Sequence, residues 1–273
     1  MQNPAPSPLV GEGRGERPQP QSFPTSGGGA HPSAPPGARP GSSGASAGGR
    51  LLVAATFLVV AVALGMVVFY APNDRVQGVV QRIFYFHVPM AWVAYLAFAV
   101  VAVASVAYLW RRDLRWDALA RASAELGVLF TTLVLVTGSL WAKPIWNTWW
   151  TWDPRLTTAA ITELIYIAYF MLRQGIDDPD RRARFSAVYA LIGGLSAPIT
   201  FFAIRLFRMI HPVVIAGSNS EAEGTFSMTP DMLTAFFFAL FAFTVIFIDL
   251  FWNRIRLENF QDEVEQLKMK VTM

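Results

Sequence analysis

The chain has 273 residues, 53% of them hydrophobic and 15% charged, with a formal net charge of +3. Soluble domains carry about 25% charge, so this composition, with twenty-one phenylalanines and a mean hydropathy of +0.38, suits lipid as the solvent. The absence of cysteine excludes a disulfide framework, a thiolate metal site and thioether attachment of a haem. The absence of a G-x-x-x-x-G-K-[ST] run excludes ATP hydrolysis through a phosphate-binding loop.

Residues 1–50 are rich in Pro, Gly, Ser and Ala, a composition that buries too little apolar surface to offset its ordering entropy. They are expected to form a disordered tail, with His31 a solvated residue of no function. The first apolar run begins after Arg50 and is longer than the apolar stretch of a signal peptide. From there six runs approach the roughly 20 apolar residues that a spanning helix needs. They are Leu51 to Ala71, Val88 to Trp110, Leu126 to Ala142, Leu156 to Leu172, Phe185 to Ile204, and Met232 to Trp252. The fold class is therefore all-α integral membrane, with six transmembrane helices over residues 51–255. Residues 256–273 carry Leu257, Phe260, Val264, Leu267 and Val271 at heptad-like spacing, which reads equally as a cytoplasmic docking helix or an extension of the sixth span.

Basic residues in short loops set orientation. Arg111, Arg112, Arg115 and Arg121 follow the second span. Arg173, Arg181, Arg182 and Arg184 follow the fourth, and Arg254, Arg256, Lys268 and Lys270 follow the sixth. The alternate loops hold fewer: Arg75 and Arg82, Lys143 and Arg155, Arg205 and Arg208. Both termini are thus expected in the cytoplasm, with the segment joining the third and fourth spans outside.

That outer segment holds five of the nine tryptophans: Trp141, Trp146, Trp149, Trp150 and Trp152. If it is helical, Trp146, Trp149, Trp150 and Asp153 share one face. The cluster reads either as an interfacial aromatic belt or as a platform for a flat apolar ligand. Asp153 before Pro154 suits the N-cap and first position of the fourth span. Apart from His31, the only histidines are His87 and His211. His87 lies where the second span is expected to begin, with Pro89 suited to a helix start. His211 precedes Pro212, which disfavours helix there. Both fall on the outer side with the tryptophans, and two imidazoles are what a six-coordinate haem iron needs. Arg82, Arg155, Arg205, Arg208 and Lys143 are outer cations that can pair with carboxylates or simply snorkel to the headgroups. Glu163, inside the fourth span, is expected to face the bundle interior.

The stretch Val136-Thr-Gly-Ser-Leu-Trp-Ala-Lys-Pro-Ile-Trp-Asn-Thr-Trp-Trp-Thr-Trp-Asp-Pro-Arg-Leu-Thr157 resembles the WWD signature of the haem-handling proteins of cytochrome c biogenesis. The size, the six spans and the Arg82-to-Tyr95 segment resemble the CcmC branch over residues 51–255. The resemblance implies haem b bound at the outer face of the bacterial inner membrane, with the Trp-rich loop on the porphyrin and His87 and His211 as axial ligands. It also implies delivery of haem to a periplasmic chaperone, CcmE, and partnership with an ABC-type complex of two subunits. Asn147 stands where many members have Gly, and residues 1–50 have no counterpart in that pattern.

Two other classes compete. An electron-transferring cytochrome b subunit usually holds haem between histidines within the membrane, whereas both histidines here lie near the outer ends. A permease subunit needs polar groups lining a path, and Glu163 is the main one. No feature points to nucleic acid.

Overall fold

A computed structural model describes residues 47–206 and 228–272. The described residues are helical with short connections. Among the described residues, six helical segments are long and apolar enough to cross a membrane: Gly48–Tyr70, Val79–Arg111, Leu114–Trp146, Pro154–Gln174, Pro179–Ala203 and Pro230–Glu258. Each matches one of the apolar runs read from the sequence, the first and fifth runs reaching one residue past the span. Of the tail expected over residues 1–50, Ala47 to Arg50 instead form the start of the first helix, and residues 1–46 lie outside the described residues.

The first span is α1 (Ala47–Gly65), closed by a single π turn at Met66–Tyr70. The second is a 3-10 turn at Val79–Ile83 running into α2 (Phe84–Arg111). Pro89, expected to start this span, instead lies in the second turn of α2. The helix begins a turn earlier because Phe84 and Tyr85 are fully buried against Trp141 and Phe236. That packing outweighs the loss of the one backbone bond proline cannot donate.

The third span, α3 (Leu114–Trp146), is longer than its apolar run. Asp113 caps its start by accepting from the Arg115 amide at 2.9 Å, and the first turns carry Arg115, Asp117, Arg121 and Glu125 at the end of the bundle. The fourth span is α4 (Pro154–Gln174). The fifth is broken into α5 (Pro179–Gly194) and α6 (Ser196–Leu206). The break has a local cause: Gly193 and Gly194 adjoin Pro198, whose missing N–H leaves the Gly194 carbonyl without its helical donor. The sixth span belongs to α7 (Pro230–Thr272), 43 residues in one helix. At 1.5 Å per residue it is roughly 65 Å long, about twice the hydrocarbon thickness, so the heptad-like stretch continues the sixth span as helix.

α2 lies at the centre and packs on α3, α5 and α7. Its contact face is small: Ala94, Ala97, Val101 and Ala104 are buried, with Ala120 and Ala124 of α3 in the same cluster. In lipid there is little hydrophobic gain from bringing helices together, so close packing of small residues and interhelical hydrogen bonds hold the bundle. Ser123 supplies one such bond, donating to the Ala97 carbonyl at 2.9 Å. Phe98 stacks on Tyr166 with centroids 4.1 Å apart, joining α2 to α4.

The two ends of the bundle differ. At one, the arginines gather: Arg173 makes a bidentate pair with Asp117 at 2.6 and 2.8 Å, and Arg254 bridges Glu125 and Glu258. At the other lie His87 and the five tryptophans of 141–152, and there Tyr70 donates to Asp231 at 2.9 Å and ties the first span to the last.

Candidate functional site

At the tryptophan end α2 and α3 make a close polar contact at His87. The imidazole is buried, 9% exposed, with Nδ1 3.0 Å from Thr137 Oγ1. Its ring meets Trp141 edge-on, centroids 5.8 Å apart. Thr137, Gly138 and Trp141 form one face of α3, and Gly138 is glycine for a reason of space. A Cβ there would lie 3.0 Å from His87 Cε1, tighter than ordinary contact allows. Trp141 is held in turn by its indole N–H, which donates to Gln77 at 3.0 Å. It is also held by ring contacts to Phe84 and Trp146.

α3 ends at Trp146 because Asn147 takes a left-handed conformation, φ 55°. Asparagine tolerates that region far better than most side chains, so the turn a glycine would make is kept. Lys143 closes the helix end by donating to Asn147 Oδ1 at 3.0 Å. The conditional helical face of Trp146, Trp149, Trp150 and Asp153 is therefore not formed: 148–153 is non-helical. Trp150 and Trp152 pair edge-to-face at 5.5 Å, and Trp149 and Trp152 are exposed, 55% and 78%. Asp153 is the N-cap of α4, accepting from the Leu156 amide at 2.9 Å, and also accepts from Thr151 at 3.1 Å. Its structural role is as expected.

His87 and Arg155 line the same cavity. It runs between α2, α3, α4 and α6, past Tyr95, Gly138 and Ala159 to Phe98 and Thr131. Its volume is about 60 Å³, room for a few waters or the edge of a larger flat molecule. Two further donors at this end, Arg82 Nε and Trp150 Nε1, are buried without a hydrogen-bond partner among the described residues. A buried donor left unpaired is costly, and both suit an anionic or carbonyl acceptor.

The structure thus brings together His87, Trp141, Trp146 and Arg155. Trp149 makes no ring contact within the described residues, and His211 and Arg208, with the side chain of Arg205, lie outside them. Thr137 and Gly138 were not singled out from the sequence. A glycine within a span, next to a hydroxyl and three residues before a tryptophan, was the available signal for close approach. Glu163 is buried, 8% exposed, and lies 2.6 Å from Thr132 Oγ1, which joins α3 to α4 away from the cavity lining.

A sequence profile for CcmC, heme exporter protein C, matches residues 43–270. The chain belongs to the heme exporter protein C family. The heme exporter protein C of Bradyrhizobium diazoefficiens is 36% identical over 219 residues, 80% of this chain and 81% of the relative. That of Paracoccus denitrificans is 32% identical over 191 residues, 70% and 78% of the two chains. The Escherichia coli K12 protein is 33% identical over 188 residues, 68% and 74%. The family match covers all six spans and the tryptophan-rich connection, so the residues around His87 fall within it.

Proposed function

We propose that this protein binds haem b at the extracytoplasmic face of the bacterial inner membrane and hands it to the chaperone CcmE for cytochrome c maturation. An ABC-type complex of ATPase and membrane subunits is its partner. The observation that carries the reading is the meeting of an imidazole, a guanidinium and flat aromatic side chains at one end of the bundle. His87 and Arg155 line one cavity there, and Trp141 packs on His87.

The residues fit a haem. His87 is one axial ligand and His211 the other. Trp146, Trp149, Trp150 and Trp152 offer the porphyrin aromatic surface. Arg82, Arg155 and Arg208 are the cations for the propionates, and Arg82 Nε, as a buried unpaired donor, suits that role through a charge-assisted bond. The cavity, about 60 Å³, is too small for a whole porphyrin, so a haem held by His87 would extend beyond it. Haem supplies the iron chemistry, and the protein binds, orients and releases it.

The test is visible spectroscopy of the protein purified in detergent. His87→Ala and His211→Ala are each expected to lower haem per protein about tenfold or more, with loss of the six-coordinate spectrum. Unchanged haem content and spectrum in both variants would overturn the ligand assignment. Trp149→Ala with Trp150→Ala is expected to lower haem loading of co-expressed CcmE, and normal loading would remove the platform role.

Sidedness has its own test, helped by the absence of cysteine. Asn147 is exposed at the tryptophan end and Arg112 at the arginine end. The excess of arginine supports a cytoplasmic position for the second end. Asn147→Cys should then react with a membrane-impermeant maleimide in intact spheroplasts, and Arg112→Cys only after permeabilisation. The opposite pattern would invert the topology.

A further inference from the structure

We propose that Thr137 is a positioning residue that sets the tautomer of His87, so that Nε2 is the nitrogen carrying the lone pair. The inference rests on the reading of His87 as an axial ligand and deepens it. Thr137 Oγ1 has one hydrogen to give. It lies 2.7 Å from the Leu133 carbonyl and 3.4 Å from that of Val134, the usual return of a helical threonine hydroxyl to the preceding turn. With its hydrogen committed there, the same oxygen faces His87 Nδ1 at 3.0 Å as an acceptor. Nδ1 must then carry the ring's N–H. A neutral imidazole has a single N–H, so the lone pair resides on Nε2.

Two further contacts hold the ring in the orientation this bond requires. Gly138 leaves it room against α3, since a Cβ would crowd Cε1 at 3.0 Å. Trp141 meets the ring at 68° and is itself fixed by Gln77. The choice of a hydroxyl as the acceptor has a consequence. A carboxylate or carbonyl behind a ligating histidine raises its basicity and strengthens its grip on iron. A hydroxyl oxygen is a weaker acceptor, so Thr137 orients the ligand with little added donor strength. That combination suits a site that must release what it holds.

The test begins with the haem-free full chain in detergent, labelled with ¹⁵N-histidine. The chain has three histidines, and the His87 signals are assigned by their absence in His87→Ala. The parent and Thr137→Ser should show a protonated Nδ1 and an unprotonated Nε2. Thr137→Val, nearly isosteric but without an acceptor, should shift His87 toward the other tautomer or a mixture. A parent with the proton on Nε2, or a Thr137→Val pattern identical to the parent's, overturns the inference. Should Thr137→Val not fold, the parent and Thr137→Ser patterns decide alone.

Haem titration gives the second readout. Thr137→Val is expected to bind about 10–100-fold more weakly with a shifted reduction potential. Thr137→Ser should match the parent, and Gly138→Ala should weaken binding through the displaced ring. If His87→Ala loses haem while Thr137→Val binds like the parent, with the same potential, the positioning role fails and the ligand role stands. If His87→Ala keeps its haem, the ligand role fails, whatever the tautomer.

Discussion

Asp117→Ala is expected to destabilise the bundle by about 3–5 kcal/mol, the loss typical of a buried ion pair deprived of one partner. The side chains of Arg173 and Asp117 are 7% and 12% exposed and meet through two hydrogen bonds. Arg173 also donates to the Tyr169 hydroxyl at 3.3 Å and lies over that ring. The reverse change, Arg173→Ala, is expected to cost less. A carboxyl left alone can be neutralised by a proton, whereas a guanidinium cannot lose its charge. The double variant should lose less than the sum of the singles, since each removes the same interaction. Thermal or denaturant unfolding in detergent reads all three. Additive losses would mean that the pair is not coupled. The same substitutions should leave the spectrum of bound haem unchanged, because the pair lies at the arginine end.

Gly127→Ala is expected to destabilise by about 1–2 kcal/mol. A Cβ at Gly127 would fall 2.5 Å from Phe98 Cε1 and 3.1 Å from Cζ. Phe98 is 4% exposed and stacked on the fully buried Tyr166, so it has no direction of easy retreat except into the cavity that it lines. Overpacking of this kind costs about 1–3 kcal/mol. Alanine's better helix propensity returns about 0.5–1 kcal/mol, which leaves the net sign destabilising. Unfolding in detergent measures it, and a variant more stable than the parent would show that Phe98 yields freely. The displaced ring should also reduce the space beneath His87, so haem affinity is expected to fall alongside stability.

Much of the architecture was legible because the signals for it are local. Each of the six apolar runs coincides with a spanning helix to within one residue at its end or lies inside it, since span formation depends on summed transfer free energy over about 20 residues and on little else. The Asp153–Pro154 start of α4 was equally readable, because an N-cap needs only its own next turn. The length of α3 was not, because its first turns are charged and helical: Arg121, Glu125 and Asp117 find partners on α7 and α4. The start of α2 was misplaced at Pro89 because the packing of Phe84 and Tyr85 against distant helices overrides a local preference.

By itself, the sequence determined the number of spans, their approximate limits, the gathering of tryptophans in one connection and the histidines as the candidate ligands. Only the tertiary structure decided which residues stand beside His87. In a soluble bundle, the apolar stripe of a helix reveals its buried face. Here lipid is as apolar as the interior, so the rotation of α2 and α3 about their axes leaves no mark on hydropathy. That rotation sets Thr137, Gly138 and Trp141 against the imidazole, brings Arg155 to the same cavity and pairs Arg173 with Asp117. The left-handed turn at Asn147, which lifts Trp149, Trp150 and Trp152 out of helical register, likewise follows from how α3 and α4 must be joined.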